Sequence, residues 1–315
     1  MKFSSVDSYG QLEPQLKGYY SLGFFATNHE FRATHVSRQL QVDECVKIIV
    51  FVPEGEVSST RAVNDKYFSQ LANCEFFHID GLTDDERIFE LLEDASKSHQ
   101  DRPLRIFIDY SSMSRLWYGA ILNWSRFSNR VNAIEIDFAY ANGRYLDKFG
   151  PLPISELESL PYFEGVSGGF RKTTALFGLG YDKYATLAVY DRIEPDVLYC
   201  CVACLSPNDA SSQKARVENQ EIVDAATSVL ELPLLNVAAT FRLLCELVSS
   251  IERDSQIVVV PMGPKSHVLA TLLLALRMPW VTCLHARGVR PEPPQVEADG
   301  PISIARVSFE PERNS

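Results

Sequence analysis

The feature that most constrains this chain is an order of apolar runs and amphipathic segments that is written twice. One stretch runs from "SLGFFATNHEFRATHVSRQL" to "AIEIDFAYANGRY", the other from "ALFGLGYDKYATLAVYDRI" to "WVTCLHARGV". Each opens on a short apolar run containing glycine, Gly23 in the first and Gly178 with Gly180 in the second. Each continues through an amphipathic segment to a wholly apolar run, "VKIIVFVP" or "LYCCVACLSP", ending at Pro53 or Pro207. A weaker strand pattern, "CEFFHID" or "SVLELPL", precedes a second amphipathic helix and a third apolar run, "LRIFIDYSSMSR" or "SQIVVVPMGPKSH". A further helix and strand close each stretch.

Short runs that are apolar throughout suit strands buried on both faces, as in a parallel sheet. Helical segments between them imply right-handed βαβ crossovers. The expected fold class is therefore α/β, with two tandem Rossmann-like units, mainly parallel sheets and a pseudo-twofold duplication that repeats one strand order. The expected boundaries are 1–148 and 173–315, with the Pro- and Gly-rich stretch 149–172 as a connector. A chain of 315 residues has room for two cores of ordinary size.

In open α/β sheets ligands sit beyond the carboxyl ends of the strands, where the next helix begins. "IDYSSMSR" and "PMGPKSH" occupy that place in the two halves. Unpaired N–H groups at a helix start favour an anion. Ser111, Ser112 and Ser114 can add hydroxyl donors, and Arg115 a fork of donors. Gly263 allows close backbone approach, while Lys265, Ser266 and His267 supply a cation, a hydroxyl and a titratable ring. A pseudo-twofold arrangement would bring both turns to one inter-domain crevice. The plainer account is that Asp109, Ser111 or Ser112 caps the helix that follows, a contribution of about 1 kcal/mol.

Other polar residues fall at strand ends. Asn28, His29 and Arg32 follow the first strand, and Tyr181, Asp182 and Lys183 follow its counterpart. Asn28 and Asp182 are counted as ligand candidates, as are His285 and Arg287 in "CLHARGV". Arg61 with Asn64 and Arg216 with Asn219 repeat an Arg-x-x-Asn spacing after the second strands, though exposed helix polarity also accounts for them. Asp137 in "IEIDFAY" is either a ligand-facing carboxylate or a strand-end residue. Walker A and Gly-x-Gly-x-x-Gly spacings do not occur, nor does a His-Glu-x-x-His pair, and the Gly-x-Ser-x-Gly spacing at Gly165–Gly169 falls in the connector rather than at a strand-to-helix elbow. No catalytic set, cofactor or metal site is expected.

A formal net charge of −11 disfavours general nucleic-acid binding, which depends on neutralising phosphates, but leaves room for a local basic pocket. No apolar run reaches the roughly 20 residues that span a bilayer, and the start has no signal-like apolar region, so a cytoplasmic protein is expected. The seven cysteines are scattered and mostly lie in apolar runs. Cys201 and Cys204 form a CxxC inside one such run, so Cys200, Cys201 and Cys204 are expected to be reduced thiols packed in the core.

The stretch "VVVPMGPKSHVLATLLLA" resembles the strand, Gly-rich turn with Lys, and helix of CARF domains, the CRISPR-associated Rossmann folds, and of the related SAVED domains. The turn is Gly-Pro-Lys where Gly-Gly-Thr-Lys would be typical of that family. The resemblance implies sensing of a nucleotide or cyclic oligonucleotide in antiviral defence. Such sensors often carry an effector domain. The tail of this chain reads instead as a final strand, "ISIARVSFE", so output would pass through a protein partner or through the pocket's own chemistry. The expected function is binding of a nucleotide or other phosphorylated small molecule as a sensor or regulatory component, and a homo-oligomer is compatible with it. Two alternatives stay open: an enzyme acting on a nucleotide or phosphosugar with Lys265 and His267, and a scaffold whose polar turns are only helix caps.

Overall fold

The computed structural model describes residues 1–9, 19–40, 45–55, 58–79, 84–99, 102–146, 150–166, 169, 172–206, 209–251, 254–290 and 292–311. Pro207, expected to end a strand, lies outside them. The chain forms two compact units, Met1–Lys148 with Pro293–Ser315, and Phe149–Glu292.

The first unit is built on β2 (Tyr20–Ala26), β3 (Cys45–Pro53), β4 (Cys74–Ile79), β5 (Leu104–Asp109) and β6 (Ile134–Tyr145). Between them lie α1 (His35–Gln39), α2 (Ser59–Phe68), α3 (Asp85–Ser96) and α4 (Arg115–Phe127). These strands are parallel and stand in the order β4-β3-β2-β5-β6. All seven residues of β2 are buried, and β3 is buried along Ile48–Val52. Burial of successive residues requires cover on both faces of the sheet, which is why both strands are predominantly apolar rather than alternating.

The second unit repeats the order. It comprises β8 (Lys172–Gly178), α5 (Lys183–Ile193), β9 (Val197–Cys204), α6 (Ala210–Glu218), α7 (Gln220–Ala225), β10 (Ser228–Pro233), α8 (Val237–Ser250), β11 (Ser255–Pro261), α9 (Lys265–Arg277) and β12 (Val281–Gly288). Its parallel strands run β10-β9-β8-β11-β12, the same arrangement as in the first unit. Every residue of α9 from Ser266 to Leu276 is buried.

Both sheets are extended by antiparallel strands, of which only the "ISIARVSFE" part of the last is legible in the sequence. In the second unit β7 (Ile154–Ser159), read from the sequence as connector, pairs with β12. Its strand geometry comes from the partner, because Arg287 on β12 bonds Glu156 and Glu158 across the pair at 2.8 and 3.2 Å. In the first unit β13 (Val296–Glu310) pairs antiparallel with β6, and β1 (Lys2–Tyr9) pairs with β13. The tail expected to finish the second unit thus completes the first.

A buried carboxylate accounts for that return. Asp137, 1% exposed, accepts two bonds from Arg306 at 2.8 and 2.7 Å and one from the Tyr20 hydroxyl at 2.7 Å. Burial and the adjacent carboxylate push the Tyr20 hydroxyl upward, so it stays protonated as donor. Asp137 is therefore structural rather than ligand-facing. Breaking a buried ion pair from one side leaves an uncompensated charge. Arg306→Leu is expected to lower stability by roughly 3–5 kcal/mol, read as a fall in the urea midpoint. Arg144→Leu, which removes the exposed Arg144–Glu297 pair between the same two strands, should leave that midpoint nearly unchanged.

Candidate functional site

The shared strand order puts a topological switch point between β2 and β5 in the first unit and between β8 and β11 in the second. Connections leave in opposite directions there, which is where such sheets open a crevice for ligand. The sequence-selected turns do fall at these points, but their side chains largely fasten the strand ends.

In the first unit the three serines have three structural tasks. Ser111 is fully buried, and its Oγ accepts from the Ala141 N–H at 2.8 Å, tying the end of β5 to β6. Ser112 Oγ donates to the Ala26 carbonyl at 3.2 Å, tying it to β2. Ser114 caps α4, accepting from the Leu116 N–H at 3.3 Å. Asp109 turns the chain by accepting from the Ser111 N–H at 3.0 Å. Asn28 bridges the switch point, with Nδ2 donating to the Ser112 carbonyl at 2.9 Å and Oδ1 accepting from the Glu30 N–H at 2.8 Å. Arg115 is half-buried on the first turn of α4, where its charge acts on the fully buried Tyr118 hydroxyl.

In the second unit the closure is made by backbone. The Met262 N–H donates to the Gly178 carbonyl at 3.0 Å. A Cβ at Gly180 would lie 2.5 Å from the Met262 carbonyl oxygen, and one at Gly263 would lie 3.2 Å from that of Leu179. The glycines admit the neighbouring turn of the fold itself. Asp182 caps α5 through the Ala185 N–H at 3.1 Å and also accepts from the Leu152 N–H at 2.7 Å and from Arg290 at 2.5 Å. His285 lies on β12 opposite Glu158, next to the Arg287 ion pairs.

The repeated asparagines turn out to be clamps. Asn64 Nδ2 donates to the carbonyls of Asn28 and Glu30 at 2.9 and 3.0 Å, and Asn219 Nδ2 donates to that of Gly180 at 2.8 Å. Each holds the loop that leaves the first parallel strand of its unit. The repetition was visible in the sequence, but its meaning was not. A cluster missed altogether is the stack of Tyr110, Tyr118 and Tyr140, with Tyr110 5.3 Å from Tyr140 and 5.7 Å from Tyr118.

The first turn of α9 differs from those of α4 and α5, which side chains cap. Pro264 occupies its N-cap, and no side chain caps the helix. Lys265 is its first residue. Ser266 is 1% exposed, and its hydroxyl has no hydrogen-bond partner. His267, expected to face a ligand, is instead buried, with Nε2 donating to the Pro233 carbonyl at 3.1 Å. Burial, the largest influence, lowers its pKa to about 4.

Cys200 and Cys201 lie buried in β9, and burial pushes both thiols up to about 12, far from the reactive range. No disulfide joins Cys201 to Cys204. Among the described residues no group of three or more His, Cys, Asp or Glu is placed to hold a metal, and no helix is long and apolar enough to cross a membrane.

No family model matches the chain. No curated protein matches it either. Among solved structures, the cytoplasmic domain of a prokaryotic cation chloride cotransporter is similar over 86% of this chain and 96% of that one, at 11% identity and a TM-score of 0.25. A likeness at that level carries no argument about fold or function.

The His267 arrangement sets a pH dependence. Between the unfolded value near 6.5 and the folded value of about 4, the unfolded chain binds a proton that the folded chain refuses. Stability from this group is present above 6.5 and is lost as pH falls toward 4, by about 3 kcal/mol in all. Urea midpoints measured from pH 7 to pH 4 should fall less steeply in His267→Gln than in the parent chain.

Proposed function

We propose that this protein binds a phosphorylated small molecule, nucleotides included, at the first turn of α9, and serves as a cytoplasmic sensor or regulatory component. The observation that carries the reading is the uncapped start of α9 with the partnerless Ser266 hydroxyl beneath it. By contrast α4, α5 and α8 are capped by Ser114, Asp182 and Asn236. A helix N-terminus carries partial positive charge, Lys265 adds a full one, and a phosphate offers acceptors to both. The resemblance to CARF and SAVED domains adds the nucleotide and the defence setting to this proposal, with output through a protein partner.

The rival enzyme reading loses its base, because His267 is neutral, buried and committed to the Pro233 carbonyl. The scaffold reading draws on a specific observation in the first unit, where Ser111, Ser112 and Ser114 are all engaged within the fold. Titration of the full chain with pyrophosphate, ATP and a cyclic oligoadenylate, followed by thermal shift, separates the readings. At least one should stabilise the parent protein, and Lys265→Ala should weaken binding roughly tenfold to a hundredfold, the loss of one charge-assisted bond. Absence of stabilisation by all three leaves the scaffold reading.

A further inference from the structure

Asp182 makes more contacts than a helix cap needs. Its Oδ1 accepts from the Ala185 N–H at 3.1 Å, which caps α5. Its Oδ2 accepts from the Leu152 N–H at 2.7 Å and from Arg290 Nη2 at 2.5 Å. The Nε of the same arginine donates to the Gly150 carbonyl at 3.1 Å. Gly150 and Leu152 lie just before β7, and Arg290 lies just after β12. The second unit runs from Phe149 to Glu292, so these are the segments by which the chain enters and leaves it. One carboxylate therefore ties both segments to the start of α5 and, through Arg290, to each other.

The tie can open without the core. Neither segment belongs to the parallel strands of the unit. β7 keeps its own fastenings, the ladder to β12 and the bond from Arg192 Nη2 of α5 to the Ile154 carbonyl at 2.8 Å. The Asp182 side chain is 12% exposed and that of Arg290 21%, so solvent reaches the pair. Elements that move are drawn from the part of a fold whose local opening costs least. The geometry points to Asp182 as a latch on the second unit. Engaged, it holds the entering and leaving segments together against α5. Released, it frees residues 150–152 and 289–290 in one step, while α5 and the parallel sheet stay folded.

Hydrogen exchange of single amides, read by NMR on the full chain, tests this. Leu152 reports the latch, because its N–H donates to Asp182. Ala185 reports the cap, and Met262, whose N–H donates to the Gly178 carbonyl, reports the sheet. Asp182→Ser keeps a capping oxygen but removes the one that accepts from Leu152 and Arg290. It should speed exchange at Leu152 roughly tenfold or more, the loss of a charge-assisted bond, with Ala185 and Met262 within about twofold of the parent. Arg290→Met leaves Asp182 and Leu152 in place and should also speed Leu152 several-fold. Arg290 is half-buried beyond the end of β12, so this variant carries the test even if Asp182→Ser fails to fold. The double variant should be no faster at Leu152 than Asp182→Ser alone, because both act on one latch. The inference is overturned if Leu152 keeps its parent rate in Arg290→Met, if the two effects multiply in the double variant, or if Ala185 and Met262 speed up as much as Leu152.

Discussion

The bidentate pair between Arg306 and Asp137 is the contact on which the first unit depends. A carboxylate this deeply buried is tolerable only when its oxygens are paired and hydrogen-bonded. Here one residue of β6 gathers Arg306 from β13, the Tyr20 hydroxyl from β2, and Arg105 of β5 at 3.7 Å. Four strands that are far apart in sequence are therefore locked to one register. The return of the chain to pair with β6 follows from this, and so does the seat of β1, which has no other strand partner than β13. Two aromatic contacts lie beside the pair, Tyr20 with Phe107 at 5.4 Å and Arg105 over the Tyr20 ring at 4.9 Å.

The two switch points are closed by different means. Side chains close the first, through Asn28 and Ser112, whereas backbone closes the second, through Gly178, Gly180 and Met262. A side-chain tie can be exchanged for a ligand contact at the cost of one or two hydrogen bonds. A closure made by glycines set against carbonyls has no side chain to move aside. This difference shifts interest in the second unit from the crevice to the helix start just beyond it.

At that start the contrast between α4 and α9 is informative. Both are long, buried helices that follow equivalent strands, β5 and β11. The first has Ser114 accepting from its own backbone, while the second has proline at the cap and a serine hydroxyl with nothing to bond. In a chain of net charge −11, that turn with Lys265 is where the proposed anion site lies.

The parallel core was legible from sequence because its physics is local. Runs such as "VKIIVFVP" and "SQIVVVP" can be satisfied only by burial on both faces, and their spacing admits only helical crossovers. The positions of the polar turns followed from the same logic. What those residues do did not follow. Whether Ser112 meets a ligand or the Ala26 carbonyl, and whether His267 is exposed or donates to Pro233, depends on segments dozens of residues away. The antiparallel strands are the same case. β1 and β7 are half-polar and not legible as strands, while the "ISIARVSFE" strand in β13 is legible but its pairing with β6 is not. The sequence by itself determined the parallel strands, their order of appearance and the edge on which a site could lie. Tertiary structure alone decided which polar groups were consumed by the fold and which, like Ser266 and Asn219 Oδ1, were left without a partner, because hydrogen-bond satisfaction depends on neighbours brought together only in space.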